Sequence, residues 1–482
     1  MSKKRDYHLP SLKDAGRRSR EEVSVETFSL SDEAKKLGEG KTYYIRTHGC
    51  QANQRDSETM AGILEAMSYR AAQKPEEADV ILINTCAIRQ DAEERVYGEI
   101  GALKRLKKEK KDLIIGVGGC MSQEEESVKT LVEKYPQVDI IFGTHNITSL
   151  PALLESVVKE KKRKVEVFSR QGEIYEEVPV TRFASHKAWV NVMYGCDKFC
   201  TYCIVPYTRG KERSRRKEDI LLEVQDLLKE GYREVCLLGQ NVNAYGKDLK
   251  DPDSFGGLLE EVAKTGIPRI RFMTSHPWDF DDRMIEAMKK YDNLMPYIHL
   301  PLQSGDDEIL RKMNRRYTSE SYRELFDKLR RELPHYAFTT DIIVGFPNES
   351  EEAFQRTLDM VDHCRYDNAF TFIFSPRIGT PAARMEDSVP MSVKEDRLQI
   401  LNEKIAFYAK EANKKFEGRD VDVLVDGLSK RNSSVYSGYT PENKLVNFKG
   451  KDIHIGDIVR VHIDEAMSFS LNGTAIEKDP LF

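Results

Sequence analysis

Three cysteines fall within eight residues at Cys196-Asp197-Lys198-Phe199-Cys200-Thr201-Tyr202-Cys203. A structural zinc site closes its coordination with four protein ligands. A C-x3-C-x2-C run offers three thiolates, and on a 4Fe-4S cluster that leaves one iron without a protein ligand. This iron is free to take a substrate or cofactor. The competing reading, a zinc knuckle or ordinary buried cysteines, lacks a fourth Cys or His at zinc-like spacing nearby. Residues 189–194 alternate as a short strand and Gly195 lets the chain turn, so the three thiols belong on a loop at a strand's carboxyl end.

Three more cysteines repeat the theme at longer range. The pattern predicts strands over 42–47, 78–84, 113–117 and 138–142, with helices over 53–67, 92–110 and 150–159. Such alternation implies a doubly wound parallel sheet. Cys50, Cys86 and Cys120 each follow one of these strands. In a parallel sheet the carboxyl ends share one edge, where open α/β folds bind their ligands. A second three-thiolate cluster on Cys50, Cys86 and Cys120 is therefore favoured over three small buried hydrophobes.

The middle of the chain carries six strand-like segments beginning near residues 189, 234, 269, 297, 337 and 369, with helices over 217–230, 281–291, 319–333 and 351–364. Six successive βα units predict a partial (β/α)6 barrel with its site at the carboxyl face. Gln240, Asn241, Asn243, Ser275, His276, Gln303, Ser304 and Asp341 would ring that mouth. Each alone reads as a turn or cap residue; together they form the expected cofactor-binding set, with Gln240, Asn241, Gln303 and Asp341 singled out. Cys236 and Cys364 are expected in the core, and His299 as a satisfied, partly buried histidine rather than a base. A basic run over 207–217 follows the cysteine loop, and Arg311, Lys312, Arg315 and Arg316 follow the fourth barrel strand. Two such runs by one mouth favour a polyanionic substrate over a solvated surface, with Arg209, Arg213 and Arg215 as its expected ligands. A long helix over 393–416 leads to period-two segments at 421–427, 444–448 and 458–463, the pattern of a small antiparallel barrel. It could hold RNA or serve as a structural cap.

A chain of 482 residues exceeds one core, and three domains are expected: 41–160, 182–412 and 415–478, after a mobile, partly basic tail over 1–40. No run of 18 apolar residues and no apolar leader segment is present, so a cytoplasmic protein without a membrane span is expected. Eight cysteines, three of them clustered, argue for metal ligation in a reduced compartment. A net charge of −5 excludes a globally basic nucleic-acid binder and confines any such contact to local patches.

With both triads and the terminal barrel in place, the chain resembles the radical S-adenosylmethionine (SAM) methylthiotransferases from about residue 41 to 476. The resemblance rests on Thr47-His48-Gly49-Cys50-Gln51-Ala52-Asn53, Asn84-Thr85-Cys86-Ala87-Ile88-Arg89, residues 195–209, residues 238–246 and His299-Leu300-Pro301-Leu302-Gln303-Ser304-Gly305. His48 stands where the family commonly has Tyr, and Ala52 where it often has Met, without loss of a ligand. The resemblance implies that the open iron on Cys196, Cys200 and Cys203 chelates SAM, with Tyr202 near its adenine. It implies a second, auxiliary 4Fe-4S cluster on Cys50, Cys86 and Cys120 and a terminal TRAM domain that binds RNA. Arg89 and Gln240-Asn241-Val242 point within the family to a substrate in tRNA, an isopentenyladenosine beside the anticodon, which receives a methylthio group on carbon 2. One electron would cleave SAM, the resulting radical would take hydrogen from carbon 2, and a second SAM would methylate the delivered sulfur. An electron donor of flavodoxin or ferredoxin type and a sulfur source are implied, and a monomer is expected. The alternatives are a methylthiotransferase for threonylcarbamoyladenosine tRNA or for a ribosomal protein, and a non-catalytic iron-sulfur RNA-binding factor.

Overall fold

The computed structural model describes residues 9–16, 24–87, 90–169, 174–249 and 254–478. The early basic residues Lys3, Lys4, Arg5, Arg17, Arg18 and Arg20, and Arg89 of the second motif, lie outside the described residues. The chain divides into two compact units. One comprises residues 1–183, 193–199 and 203–215, and the other residues 184–192, 200–202 and 216–482.

The first unit is built on β1 (Thr42–His48), α1 (Gln51–Ala66), β2 (Arg70–Ala71), β3 (Val80–Thr85), α2 (Gln90–Glu109), β4 (Ile114–Gly119), α3 (Glu125–Lys134), β5 (Ile140–Phe142), α4 (Leu150–Glu160) and β6 (Lys164–Glu166). The six strands form one sheet in the order β2-β1-β3-β4-β5-β6, every pair parallel. Alternate residues feed two cores. Tyr43, Val80, Leu82, Ile140 and Phe142 pack with Met60, Ile63, Leu64, Leu150 and Leu154 of α1 and α4. Ile81, Ile83, Ile115, Val117 and Ile141 pack with Val96, Ile100, Val128 and Leu131 of α2 and α3. Near-continuous apolar strands with helices on both faces are the signature of a doubly wound sheet. The chain reverses direction between β1 and β3, so this is the topological switch point at which such sheets bind ligands.

Three features of this unit depart from the sequence expectation. The segment expected as a tail carries a helix Asp32–Lys36 and a strand Val25–Thr27, the latter paired in parallel with Ile174–Glu176. Its apolar anchors are few, but Phe28, Leu30 and Leu37 pack onto the α1 and α4 core. Helix α3 and edge strand β6 also lie outside that expectation. The first offers only three buried side chains, and the second is flanked by charge, as edge strands commonly are.

The second unit opens with β7 (Lys187–Asn191), α5 (Lys217–Lys229), β8 (Glu234–Leu238), α6 (Phe255–Lys264), β9 (Arg269–Phe272), α7 (Asp282–Lys290), β10 (Tyr297–His299), α8 (Ser319–Glu332), β11 (Ala337–Val344), α9 (Glu351–Cys364) and β12 (Asn368–Ile373). The strands run parallel in two arcs, β9-β8-β7 and β10-β11-β12. A parallel bridge from Ile270 to Leu294 joins the arcs into an open six-stranded partial barrel. Cys236 and Cys364 are buried as expected. Burial pushes the Cys364 thiol up to about 12, which suits core packing and not ligation.

Helix α10 (Met391–Lys414) leads to β13 (Asp420–Leu428), β14 (Tyr436–Tyr439), β15 (Leu445–Lys449), β16 (Ile458–Ala466) and β17 (Leu471–Lys478), a closed five-stranded barrel in the order β13-β14-β15-β17-β16. Four ladders are antiparallel, but β15 and β17 pair in parallel, a closure that alternation alone does not reveal. The small barrel is pinned to the amino ends of the partial-barrel strands. Arg269 donates to the Tyr439 and Asp422 carbonyls at 2.9 and 3.1 Å, and Arg271 to those of Pro441 and Thr440 at 2.8 Å each. Lys187 and His186 both meet Asp426 at 2.7 Å, and Lys444 meets Asp367 at 2.7 Å.

Candidate functional site

The first triad lies where the switch point puts it. Cys50 follows β1, Cys86 follows the neighbouring β3, and Cys120 follows β4. Gly49, at φ 130°, is required for their approach: a Cβ there would stand 2.5 Å from Cys86 Cβ. Below them an amide network fixes the loops. Asn53 Nδ2 donates to Asn84 Oδ1 at 3.1 Å, and Asn84 Nδ2 donates to the Asn53 carbonyl at 2.7 Å and to Ser57 Oγ at 2.9 Å. Cys50 is the N-cap of α1. Its hydrogen bond with Cys86, the Arg209 charge and the amides of Asn53 and Ala52 outweigh burial and lower its thiol to about 6. Burial raises Cys120, against the pull of Arg209, whose Nε donates to Cys120 Sγ at 3.2 Å. Cys50 interacts with both Cys86 and Cys120, and three thiols so gathered, one biased to thiolate and one facing a guanidinium, are a donor set suited to an iron-sulfur cluster.

Local contacts hold the loop of the second triad at several points. Gly195, at φ 76°, could carry no side chain, because a Cβ would lie 2.0 Å from the Lys211 carbonyl. The Cys196 amide donates to the Gly210 carbonyl at 3.1 Å. Thr201 is held by its amide to the Met313 carbonyl at 3.0 Å and by its hydroxyl to the Lys312 carbonyl at 2.8 Å. Tyr202 packs against the core cluster that includes Ile309, Met313, Phe346 and Phe374. Cys200 is buried, Cys196 and Cys203 half-buried, and Arg315 Nη1 reaches Cys200 Sγ at 3.5 Å. Among the described residues no three His, Cys, Asp or Glu side chains adopt the geometry of a single bound metal ion. A 4Fe-4S cluster instead takes each thiolate on a separate iron. Cysteine sulfurs beside buried guanidiniums suit such a group at both triads.

At the carboxyl ends of the partial-barrel strands the expected polar residues meet in pairs. Asn241 Nδ2 donates to Asp279 at 3.1 Å, and Asn243 exchanges two hydrogen bonds with the His276 backbone, both at 2.8 Å. Gln240 stands beside Asn241 at the same strand end. Gln303, at φ 70°, donates its amide to the Asp341 carbonyl at 2.8 Å. His299 is buried and satisfied by Thr339 Oγ1 at 2.9 Å and Asp341 Oδ2 at 3.3 Å.

The basic run after the loop requires correction. Arg209, Arg213 and Arg215 were expected to reach substrate phosphates, yet all three are buried. Arg209 pairs with Asp56 at 2.6 Å, Arg215 with Glu176 through two bonds of 2.8 and 2.6 Å, and Arg213 lies 5.5 Å over the Tyr194 ring. Guanidiniums held by buried carboxylates, as those of Arg209 and Arg215 are, are not available to a polyanion, and burial keeps Arg213 from one. A basic groove does occur on the small barrel, a cavity of about 580 Å3 lined by Lys449, Gly450, Lys451, Ile453, Val459, Thr474, Ala475 and Ile476. Neither lysine was singled out by its sequence context.

Comparison with known proteins agrees with this architecture. The Radical SAM superfamily model matches residues 190–361, the uncharacterized protein family UPF0004 residues 42–143, and the TRAM domain residues 414–476. Among solved structures, the radical S-adenosylmethionine methyltransferase TsrM from Kitasatospora setae with cobalamin and a 4Fe-4S cluster bound is similar at a TM-score of 0.53 and 13% identity, over 71% of this chain and 77% of its own. The same enzyme with tryptophan substrate and a SAM analog gives 0.51 at 14% identity, over 69% and 72%. At such identities the likeness is one of fold. Proteins named tRNA-2-methylthio-N(6)-dimethylallyladenosine synthase from Staphylococcus saprophyticus and Staphylococcus epidermidis are each 54% identical, over 98% of this chain and 92% of theirs. One from Staphylococcus aureus (strain Newman) is 52% identical over the same shares. With that identity along nearly its whole length, the chain belongs to the tRNA-2-methylthio-N(6)-dimethylallyladenosine synthase family of radical SAM enzymes.

Proposed function

We propose that this protein places a methylthio group on carbon 2 of an isopentenyladenosine beside the anticodon of tRNA. The observation that carries the reading is the pairing of two separate cysteine triads with a terminal TRAM barrel in a chain 54% identical to synthases named for that product. A radical SAM enzyme works with a 4Fe-4S cluster and SAM. The one-electron chemistry they supply when bound reaches a ring C–H bond too inert for acid–base catalysis.

The residues of the chain divide the remaining tasks. Cys196, Cys200 and Cys203 hold the SAM-cleaving cluster, and Thr201 fixes their loop to the Lys312 and Met313 carbonyls. Tyr202, Gln240, Asn241, Gln303 and Asp341 hold SAM at the mouth, the last two locked together through the backbone. Cys50, Cys86 and Cys120 hold a second, auxiliary 4Fe-4S cluster for sulfur delivery. The terminal barrel, moored at the amino ends of the strands by Arg269 and Arg271, binds tRNA away from the mouth, separated from it by the strand lengths, roughly 15–25 Å. Lys449 and Lys451 supply phosphate contacts there.

The working divisions are 41–160, 182–412 and 415–478. Among the described residues no helix is long and apolar enough to cross a membrane. We place the protein in the cytoplasm as a monomer, served by a flavodoxin or ferredoxin type donor and a sulfur source. The test is mass spectrometry of tRNA nucleosides from a strain lacking the gene. The methylthiolated nucleoside should vanish and isopentenyladenosine accumulate, both reversed on return of the gene. Loss instead of a methylthiolated threonylcarbamoyladenosine would assign the other substrate.

A further inference from the structure

Arg315 is a buried charge without a carboxylate. It exposes 5% of its surface. Its Nε donates to Tyr317 Oη at 3.0 Å, Nη2 to the Pro301 carbonyl at 3.3 Å and Nη1 to Cys200 Sγ at 3.5 Å, with the Tyr317 ring centre 5.1 Å away. Several other buried arginines meet carboxylates: Arg397 meets Glu349 at 2.9 Å, Arg271 meets Glu234 at 3.0 Å, and Arg209 meets Asp56 at 2.6 Å. An interior guanidinium left uncompensated is costly, and a counter-charge arriving beside it offsets that cost. Of its three partners, the Pro301 carbonyl is neutral, the Tyr317 hydroxyl keeps its proton through burial, and Cys200 alone is a candidate iron ligand. As one of three thiolates on a 4Fe-4S core it belongs to a net-anionic group, more so after one electron is accepted.

We propose that Arg315 is a positioning residue for the SAM-cleaving cluster, its guanidinium being the counter-charge that the cluster on Cys196, Cys200 and Cys203 completes and that raises the cluster's potential through the hydrogen bond to Cys200. This rests on the reading that the loop holds a cluster. Two consequences follow from charge alone. Iron-free protein carries an uncompensated cation that loading relieves, and removal of the cation makes the cluster harder to reduce.

The test compares full-length Arg315→Met and Arg315→Lys with wild type, iron-free and anaerobically reconstituted. Melting temperatures and an EPR-monitored reductive titration are the readouts. In Arg315→Met the loop cluster's midpoint should move to more negative potential while that of the first triad stays put. The iron-free variant should melt no lower than iron-free wild type, and its gain in melting temperature on loading should shrink. Arg315→Lys should keep most of both properties. An unchanged midpoint in Arg315→Met, or equal melting losses with and without iron, would overturn the proposal and leave Arg315 a packing residue. If Arg315→Met retains no loop iron, retention by Arg315→Lys supports the proposal and loss from both overturns it. Unchanged iron in Cys196, Cys200 and Cys203→Ala would instead refute the loop assignment itself, whatever Arg315 does.

Discussion

Cys50, Cys86 and Cys120 are gathered by a sheet, each a strand-helix unit from the next, whereas Cys196, Cys200 and Cys203 are gathered by a loop of eight residues. The dispersed triad exists only if β1, β3 and β4 are in register, so its ligand geometry and the folding of the first unit are one property. The contiguous triad is local, and its loop is tied down by the Thr201 hydrogen bonds and Arg315. Their charges differ too. Arg209 reaches Cys120 already neutralised by Asp56, while Arg315 reaches Cys200 with no carboxylate among its partners. A pair built alike would suit two copies of one task; this pair suits a sulfur-holding site in a balanced field and an electron-accepting site beside an unbalanced cation.

The largest contrast should come from the loop. Cys196, Cys200 and Cys203→Ala should abolish 5′-deoxyadenosine formation from SAM and halve the iron of reconstituted protein from about eight per chain, counted by colorimetric assay. Residual cleavage at the wild-type rate would place SAM chemistry elsewhere. Next in size is the ion pair that supports the dispersed triad. Arg209→Ala strands Asp56 in the interior and should cost about 3–5 kcal/mol in urea denaturation of iron-free protein. A loss below about 1 kcal/mol would make the pair a bystander.

Salt dependence separates the buried basic run from the basic groove. Lys449→Ala with Lys451→Ala should flatten the slope of log affinity for tRNA against log salt by about 1–2, in filter binding. Arg213→Ala should leave that slope alone, and a change there would restore the sequence expectation. Removal of residues 417–482 should weaken tRNA binding yet leave SAM cleavage measurable. The smallest effect concerns Cys50. Its folded value of about 6 lies below the ordinary thiol value of about 8.5, so the folded state favours the thiolate. The stability this adds is full above the unfolded value and is lost as pH falls through about 6. Iodoacetamide labelling of iron-free protein, followed by peptide mapping, should show Cys50 reacting first and half-maximally near that pH; a midpoint near 8.5 would contradict the environment described.

Much of this was legible in the chain because it is local or periodic. The C-x3-C-x2-C spacing needs no fold to be read, and the period-two segments of the terminal barrel and the apolar strands of the first sheet carry their own signal. The dispersed triad became legible one step later, once alternation implied that strand ends share an edge. What escaped depends on burial, which composition does not encode. Arg209, Arg213 and Arg215 look like a surface patch beside Lys211 and Arg216, and only the tertiary placement of Asp56 and Glu176 turns two of them inward. Arg315 was hidden the same way among Arg311, Lys312 and Arg316. The parallel β15–β17 ladder escaped because alternation is blind to strand direction.

The division between the triads is tested most directly by one variant in one assay. Cys50, Cys86 and Cys120→Ala, shown by circular dichroism to keep its helices, is reduced with SAM and isopentenylated tRNA, and both products are measured by mass spectrometry. The expected result is 5′-deoxyadenosine without any methylthiolated nucleoside. Methylthiolated product would contradict the role of the first triad, and complete loss of 5′-deoxyadenosine from the folded variant would contradict the separation of the two.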